Sequence, residues 1–237
     1  MYNNTPVFEQ KKHETIIPGE KIKTIIENNR GKFLDPQDIR EILDFAGIRT
    51  VPEFTASNTA ELFEVLNNVK FPLVFKAIGP LHKSDVGGVI LGISSRKEAT
   101  KAFEQIMRLE NVRACLIQPM IKGIELFAGA KKDDQAGHLI MFGAGGIYLE
   151  IFKDVQTSLL PLEDEEALYL VRQLKSYPIL KGARGKEGID EDEFKNVLIK
   201  LSGLLRNIPA ISEIDINPLI ATKDNIFAVD CRIMIEL

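Results

Sequence analysis

The sequence predicts a mixed fold of the α+β or α/β class. Amphipathic helical stretches and short apolar runs typical of strands occur in the same chain, and several of the strand-like runs follow one another directly. The 237 residues suffice for one large domain or two small lobes. With 45% hydrophobic residues, they can form a core without disulfides or structural metals.

Charge and composition argue against several classes of protein. Thirty basic and 34 acidic residues give a net charge of −4, which argues against a general nucleic-acid binder. No apolar stretch approaches the roughly 20 residues of a membrane span, and the N-terminus lacks the apolar segment of a secretion signal. Cys115 and Cys231 lie in strand-like runs and are predicted to be free, buried thiols. We therefore expect a cytoplasmic protein that binds neither nucleic acid nor membranes.

Helical periodicity places the helices along the chain. Residues 1–30 are polar and form an N-terminal extension with one short helix, GEKIKTIIENNRG. The clearest helix is LDPQDIREILDFAGI, in which Asp35 suits the N-cap and Pro36 the first turn. Further helices are predicted over 59–69 and 97–108, and in EDEEALYLVRQLKSY and EDEFKNVLIKLSGLLRN.

Apolar runs bounded by turn residues place the strands. In chain order they are FPLVFKAIG, GGVILGI, ACLIQPM, GIELFAGAKK, HLIMFGAGG and GIYLEIF. The chain closes with ISEIDINPLIA and NIFAVDCRIMI, which we predict to pair with each other.

The segment ISEIDIN carries a row of oxygen-bearing side chains. Alternate residues of a strand share a face, so Glu213, Asp215 and Asn217 lie on one face, and Ile214 and Ile216 lie on the other. Plain alternation between solvent and core explains this segment equally well when it is taken alone.

The following strand indicates a metal site. If a tight turn falls at Lys223-Asp224, antiparallel pairing brings Asn217 opposite Asp230. Cross-strand neighbours lie about 4.5–5.5 Å apart, a spacing that suits two oxygen ligands of one hard cation such as Mg²⁺. Asp230 is flanked by apolar residues, so a metal, Arg232 or a hydrogen-bond network must satisfy its charge.

Three features of the earlier strands could serve a phosphate or a nucleotide. Lys76 interrupts an apolar run, where a lysine either reaches water from an edge strand or meets an anion. Gly87 and Gly88 open the next strand, and glycine lets a backbone approach a phosphate closely, although such a pair is more often only a turn. Glu125 follows Gly123 at the start of a strand, after a proline bend.

His82 occupies an unusual place for one of only three histidines. It lies between Gly79-Pro80 and a Lys-Ser-Asp-Val-Gly-Gly run, where the backbone is expected to turn. Neutral imidazole is a nucleophile, which permits covalent chemistry at such a loop. A surface histidine without a chemical role is the alternative from these residues alone.

Five stretches, taken in chain order, resemble one protein family. They are FPLVFKAIGPLHKSDVGGVILGI, MIKGIELFAGAKKD, MFGAGGIYLEIFKDV, YPILKGARG, and SEIDINPLI followed by AVDCRI. Over residues 33–235 the chain is similar to the β subunit of ADP-forming acetyl-CoA synthetase, a relative of succinyl-CoA synthetase. The resemblance implies an ATP-grasp fold, in which a nucleotide lies between an N-lobe at 31–120 and a C-lobe at 121–237.

The resemblance also implies roles for the matching residues. A lysine and a glycine-containing segment would contact the nucleotide phosphates, a hinge would lie near the adenine mainly through its backbone, and a glutamate would lie near the ribose. Asn217 and Asp230 match the Mg²⁺ ligands of the succinyl-CoA synthetase relatives. The expected nucleotide-binding residues are Lys76, Gly87, Gly88, Val89, Gln118, Met120 and Glu125.

A phosphohistidine relay is implied by the same resemblance. A histidine at the position of His82 is expected to carry a phosphoryl group on a mobile loop, with Gly79 and Gly87 as pivots. Asp215 matches an acidic position that helps to hold a phosphohistidine, and Glu213 on the same face is the third catalytic candidate.

The family assigns the CoA-binding half and another phosphohistidine to an α subunit, and this chain shows neither. We therefore expect an α partner, commonly in an α2β2 heterotetramer, and formation of ATP from acyl-CoA, ADP and phosphate. A succinyl-CoA synthetase-like β subunit and a non-catalytic nucleotide-sensing module are the alternatives. Lys181 and Arg184 of YPILKGARG, and Lys186 directly after it, suit a partner, a phosphate or solvent. His138 is expected to be structural or exposed.

Overall fold

The computed structural model describes residues 17–79, 87–146, 151, 153–183, 185 and 187–237. Helices and antiparallel strands occur together along the chain, which confirms the mixed fold class. None of the helices in these residues is long and apolar enough to cross a membrane. The helices are α1 Glu20–Asn28, α2 Pro36–Phe45, α3 Thr59–Asn68, α4 Arg96–Met107, α5 Asp164–Arg172, α6 Tyr177–Leu180 and α7 Glu191–Asn207.

The strands form two separate antiparallel sheets. One sheet has four strands in the order β1-β4-β2-β3, and the other has the path β10-β8-β5-β6-β7, with β9 paired to β8. The strands are β1 Phe54–Ala56, β2 Leu73–Ile78, β3 Val89–Ile93, β4 Ala114–Pro119, β5 Ile124–Asp133, β6 Gly137–Ala144, β7 Val155–Leu159, β8 Ile211–Ala221, β9 Ile226–Ala228 and β10 Cys231–Ile235.

Each sheet belongs to its own compact unit. The smaller unit is Val51–Lys122, and the larger unit combines the described residues up to Thr50 with those of the range from Gly123 to Leu237. The sequence assigned residues 31–50 to the first lobe, whereas the structure packs them with the larger unit. The reason is a contact between distant parts of the sequence: the Leu34 N–H donates to the Ile233 carbonyl at 2.9 Å, and α2 contributes to the core of the larger unit.

In the smaller unit, α3 and α4 cover one face of the four-stranded sheet. Both helices begin at side-chain caps: Asn58 accepts from the Glu61 N–H at 3.0 Å, and Ser95 accepts from the Glu98 N–H at 3.3 Å. The core includes Leu62, Leu66, Phe75, Phe103, Ile106 and Ile117.

In the larger unit, α5 and α7 belong to the core that covers one face of the six-stranded sheet. The ring of Phe194 on α7 packs edge-to-face against Phe142 on β6, with 6.0 Å between the centroids. Ile214 and Ile216 of β8 point into the same core. The opposite face of β8 is therefore left for polar side chains.

Several predicted elements are confirmed and two are divided. ISEIDINPLIA forms β8 in full, but NIFAVDCRIMI breaks into β9 and β10 at Val229-Asp230. The stretch predicted as one helix up to Tyr177 ends as α5 at Arg172, and the short α6 follows it. The predicted strand GIYLEIF lies mostly outside the described residues.

Candidate functional site

The outer face of β8 carries the polar residues that the sequence predicted. Ile214 and Ile216 are 1% and 0% exposed. Asp215 and Asn217, which alternate with them along the strand, are exposed. Glu213 is half-buried on the same face. The predicted alternation is therefore confirmed, and the core on the opposite face fixes which side chains point outward.

The predicted register between the last strands is also confirmed. The chain turns at Thr222–Asn225, where the Thr222 N–H donates to the Asn225 carbonyl at 2.8 Å. The ladder then pairs β8 with β9 and β10 without slipping as far as Met234. Asn217 consequently faces Asp230, and the Asn217 N–H donates to the Asp230 carbonyl at 3.1 Å.

The donor set at this pair fits Mg²⁺. Asp230 lies in the break between β9 and β10, and the hydrogen bond from the Asn217 N–H keeps it opposite Asn217. The amide oxygen of Asn217 and the carboxylate of Asp230 could therefore reach one cation. One Asp230 carboxylate oxygen also accepts from the Cys231 N–H at 3.1 Å, which restrains the side chain. Among the described residues no three His, Cys, Asp or Glu side chains cluster to hold a metal. Mg²⁺ often has only one or two protein ligands, and substrate phosphates and water complete its coordination.

Asp215 lies in the next row of the same face. Arg232 is its cross-strand partner on β10, and Gly129 is its partner on β5. The pKa of Asp215 is raised, first because surrounding protein displaces water from the carboxyl group and also because Asp230 and Glu213 carry like charge, while Arg232 opposes the shift. The surface of Asp215 is nevertheless exposed, so a ligand can reach its carboxylate.

Lys76 lies on an interior strand of the smaller unit and is 4% exposed. Its cross-strand neighbours are Val89 on β3 and Leu116 on β4. The alternative of an edge-strand lysine that reaches water is therefore wrong, because β2 has a partner strand on each side. Lys76 projects from the face opposite Phe75, away from the helix-covered core.

The glycine-containing segment is tied to the strand that carries Lys76. The Ala77 N–H donates to the Gly88 carbonyl at 2.7 Å. Gly87 has φ 71°, and a Cβ there would meet no atom within 4 Å. Gly79 has φ 135°, and a Cβ there would lie 2.0 Å from the Asn111 carbonyl oxygen. Glycine is thus required by conformation at both predicted pivots, while His82 lies outside the described residues.

Gln118 and Met120 close β4 in the smaller unit. The Gln118 side chain is fully buried and donates to the Glu53 carboxylate at 2.6 Å. The Met120 N–H donates to the Pro72 carbonyl at 2.9 Å. Sequence reasoning missed Glu53, since 65 residues separate it from Gln118 and no local pattern marks it.

Glu125 is exposed at the start of β5 in the larger unit. Its carbonyl accepts from the Gly145 N–H at 2.8 Å. A Cβ on Gly146, which has φ 57°, would lie 2.7 Å from a Glu125 carboxylate oxygen. The two glycines therefore leave room for this carboxylate, and the GAGG run of the sequence was the signal that could have indicated it.

The YPILKGARG stretch lies elsewhere in the larger unit. The Tyr177 hydroxyl donates to Glu191 at 2.7 Å, and Arg172 donates to the same carboxylate at 2.6 Å. Tyr177 and Glu191 border a pocket of about 200 Å³ that Lys181 also lines, which is smaller than a typical ligand site. Arg184, Lys186 and His13 lie outside the described residues.

The expectation for His138 is confirmed. His138 is 8% exposed, and its Nε2 lies 2.6 Å from the Ile211 carbonyl oxygen, so it is structural.

Comparison with known proteins identifies relatives of this chain. Residues 25–235 match the family model described as ATP-grasp domain. The chain is 37% identical over 187 residues to the acetate–CoA ligase (ADP-forming) I subunit β of Pyrococcus furiosus, covering 74% of this chain and 80% of that protein. It is 35% identical to acetate–CoA ligase (ADP-forming) I of Archaeoglobus fulgidus, where the match covers 74% of this chain and 27% of that longer protein.

Solved structures of one archaeal protein are similar in fold. Acetyl-coenzyme A synthetase 1 of Ca. Korarchaeum cryptofilum, in complex with coenzyme A and Ca-AMPCP, is 32% identical with a TM-score of 0.82, covering 90% of this chain and 97% of that one. The same protein with Mg-AMPPCP has a TM-score of 0.76 at 33% identity, covering 91% of this chain and 98% of that one. In that structure its phosphohistidine segment points towards the nucleotide-binding site. The fold expected from the resemblance is confirmed.

Proposed function

The chain belongs to the ATP-grasp family and, within it, to the β subunits of ADP-forming acetate–CoA ligases, and we propose on this basis that it transfers a phosphoryl group between a phosphohistidine and Mg-ADP. The overall reaction converts acyl-CoA, ADP and phosphate into the free acid, ATP and CoA. Because related proteins occur both as separate β subunits and as longer single chains, an α partner supplies the remaining part. That partner binds CoA and forms the first phosphohistidine, and the assembly is an α2β2 heterotetramer.

One observation supports the proposal most: on the outer face of β8 a carboxyl group lies beside a pair of residues whose side chains carry oxygen atoms. Asn217 faces Asp230, and Asp215 lies two residues before Asn217 on the same face. Asn217 and Asp230 would hold Mg²⁺, which when bound neutralises phosphate charge. Asp215, with Glu213 beside it, would accept a hydrogen bond from the imidazole ring that carries the phosphoryl group. Phosphoryl transfer depends mainly on such positioning and charge neutralisation.

The smaller unit supplies groups for the nucleotide. Lys76 would bind its phosphates, and its burial strengthens the attraction because little water screens the charge. Gly87, Gly88 and Val89 would lie over the phosphates, where no side chain at the first two positions blocks the backbone.

The base and ribose would meet backbone and carboxylate groups. The Met120 N–H is already bonded to Pro72, so its carbonyl is the backbone group left for an adenine edge. Gln118 would form part of the base site without binding the base through its side-chain amide, because that amide donates to Glu53. Glu125, exposed beside Gly146, would bind the ribose hydroxyls.

The test is reconstitution with the natural α partner. The purified complex should form ATP from ADP, phosphate and acetyl-CoA or another acyl-CoA of a panel. His82→Ala should abolish net turnover and leave Mg-ADP binding, measured by calorimetry, close to that of the wild type. His13→Ala in the N-terminal extension is the matched control and should retain activity. Full activity of His82→Ala, or no ATP from any acyl-CoA with the wild-type complex, would overturn the proposal.

A further inference from the structure

Four side chains mark the corners of a quadrilateral on the outer face of the last strands. Asn217 faces Asp230 in one row, and Asp215 faces Arg232 in the next. Partners in one row lie about 5 Å apart, and adjacent rows of one face lie about 7 Å apart because strand residues rise about 3.3 Å each. Three corners already have proposed roles, and the fourth corner, Arg232, has none.

Arg232 has the chemistry for an anionic ligand. Its side chain is exposed, and in the part of the chain that the structure describes it forms no salt bridge or side-chain hydrogen bond, although it influences Asp215 through space. A guanidinium group binds two oxygens of a phosphoryl group at once and keeps its charge at any physiological pH. Among the described residues, the carboxylates on this face of the sheet are Glu213, Asp215 and Asp230, and Lys131 on β5 lies opposite Glu213.

We propose that Arg232 binds the oxygens of the phosphoryl group while it passes between the phosphohistidine and ADP. This inference rests on the proposed function. In the ATP-forming direction the N–P bond breaks and its electron pair returns to the imidazole nitrogen, while a β-phosphate oxygen of ADP forms the new P–O bond. The second ring nitrogen keeps its proton throughout, so the histidine leaves as neutral imidazole. Arg232 offsets the negative charge on the three oxygens that travel.

The proposed contact of Arg232 distinguishes bound ATP from bound ADP. The transferred group is the γ-phosphate of ATP, which ADP lacks. A contact with that group stabilises bound ATP and the transition state but contributes nothing to bound ADP. Lys76, by contrast, is proposed to contact phosphates that ADP and ATP share.

The experiment compares two ligands in the complex with the α partner. Calorimetry in excess Mg²⁺ measures the dissociation constants of ADP and of the non-hydrolysable analogue AMPPCP for wild type, Arg232→Met and Arg232→Lys. For Arg232→Met we expect the AMPPCP affinity to fall about tenfold to a hundredfold, the range for one charge-assisted hydrogen-bonded group. The ADP affinity should stay within about twofold, and Arg232→Lys should recover part of the loss. ATP formation should fall through kcat, with the KM for ADP nearly unchanged.

Each outcome decides the inference. Arg30→Met removes another exposed arginine of the larger unit and should leave both affinities unchanged, while thermal unfolding shows whether Arg232→Met remains folded. Unchanged AMPPCP affinity in Arg232→Met, or an equal loss for ADP, overturns the role of Arg232. If the wild-type complex binds neither nucleotide, the proposed function itself fails, which is a different result.

Discussion

Strands β2 and β8 both present polar groups on the face opposite a hydrophobic core, but they do so in different surroundings. On β2, Lys76 is 4% exposed between strands on both sides. On β8, Asp215 and Asn217 are exposed. The buried lysine lies in a medium of low dielectric constant, which would strengthen its proposed attraction to phosphate. The exposed oxygens of β8 are open to the cation and the phosphoryl group that we propose they meet. This difference is why we propose that Lys76 binds nucleotide phosphates, and that the outer face of β8 binds a cation and the phosphoryl group.

The largest expected effect separates the two faces of β8. Ile216→Ala should lower the free energy of unfolding by about 2–5 kcal/mol, because Ile216 is fully buried. Asn217→Ala, one residue away on the exposed face, should change it by less than about 0.5 kcal/mol. Urea unfolding of both variants measures these differences. Equal losses of stability would contradict the division of β8 into a core face and a ligand face.

The next largest expected effect concerns the affinity for nucleotides that Lys76 of β2 is proposed to provide. Lys76→Met preserves the length of the side chain and removes its charge, so the affinities for ADP and AMPPCP should both fall about tenfold to a hundredfold. Lys101→Met on the exposed face of α4 is the matched control and should leave both unchanged. Calorimetry with Mg²⁺ measures the affinities. A loss restricted to AMPPCP would contradict the proposed contact with the shared phosphates and would blur the contrast with Arg232.

The same two strands show how much the sequence predicts. On β8, an exposed face gives a clean alternation of period two, and the turn at Lys223-Asp224 fixes the register, so the Asn217–Asp230 pair was predictable. On β2 both faces are buried, so Lys76 interrupts an apolar run without showing what surrounds it. Its interior position depends on the strand order β1-β4-β2-β3, which no local pattern encodes.

Long-range contacts account for the other differences. The resemblance placed residues 31–50 in the first lobe, yet backbone hydrogen bonds to β10 join them to the larger unit. The contact between Gln118 and Glu53 likewise joins distant parts of the sequence. The family resemblance supplied the role of His82, which periodicity and spacing alone left open.

A third, smaller effect contrasts two carboxylates of the larger unit. Asp154 is 4% exposed, and burial alone would raise its pKa, but hydrogen bonds from Ser176 and Lys175 outweigh burial and lower the pKa. The pKa of the exposed Asp215 is raised instead. Asp154 therefore stabilises the fold above its unfolded pKa of about 3.9, and this contribution disappears as the pH falls through the lower folded value.

Asp154→Asn tests this contrast. At pH 7 the variant should be less stable than the wild type by about 1–3 kcal/mol, because the amide replaces an ionised acceptor of two backbone N–H groups. The difference should shrink below about pH 4 as Asp154 is protonated in the wild type. Urea unfolding between pH 7 and pH 2.5 measures it. A difference that stays constant over this range would show that the charge of Asp154 does not stabilise the fold.

The smallest expected effect is that Cys115, which is buried in the smaller unit, does not react with a thiol reagent. Burial raises the pKa of Cys115 to about 12, so almost none of it is thiolate at pH 8, and its side chain is 0% exposed. Iodoacetamide at pH 8 should modify the half-buried Cys231 of the native protein and leave Cys115 intact, whereas in urea both should react. Mass spectrometry of peptides measures the extent of labelling. If Cys115 in native protein were labelled as fast as Cys231, the core on the opposite face of the sheet from Lys76 would be open to solvent. That result would contradict the low-dielectric setting on which the proposed phosphate binding by Lys76 depends.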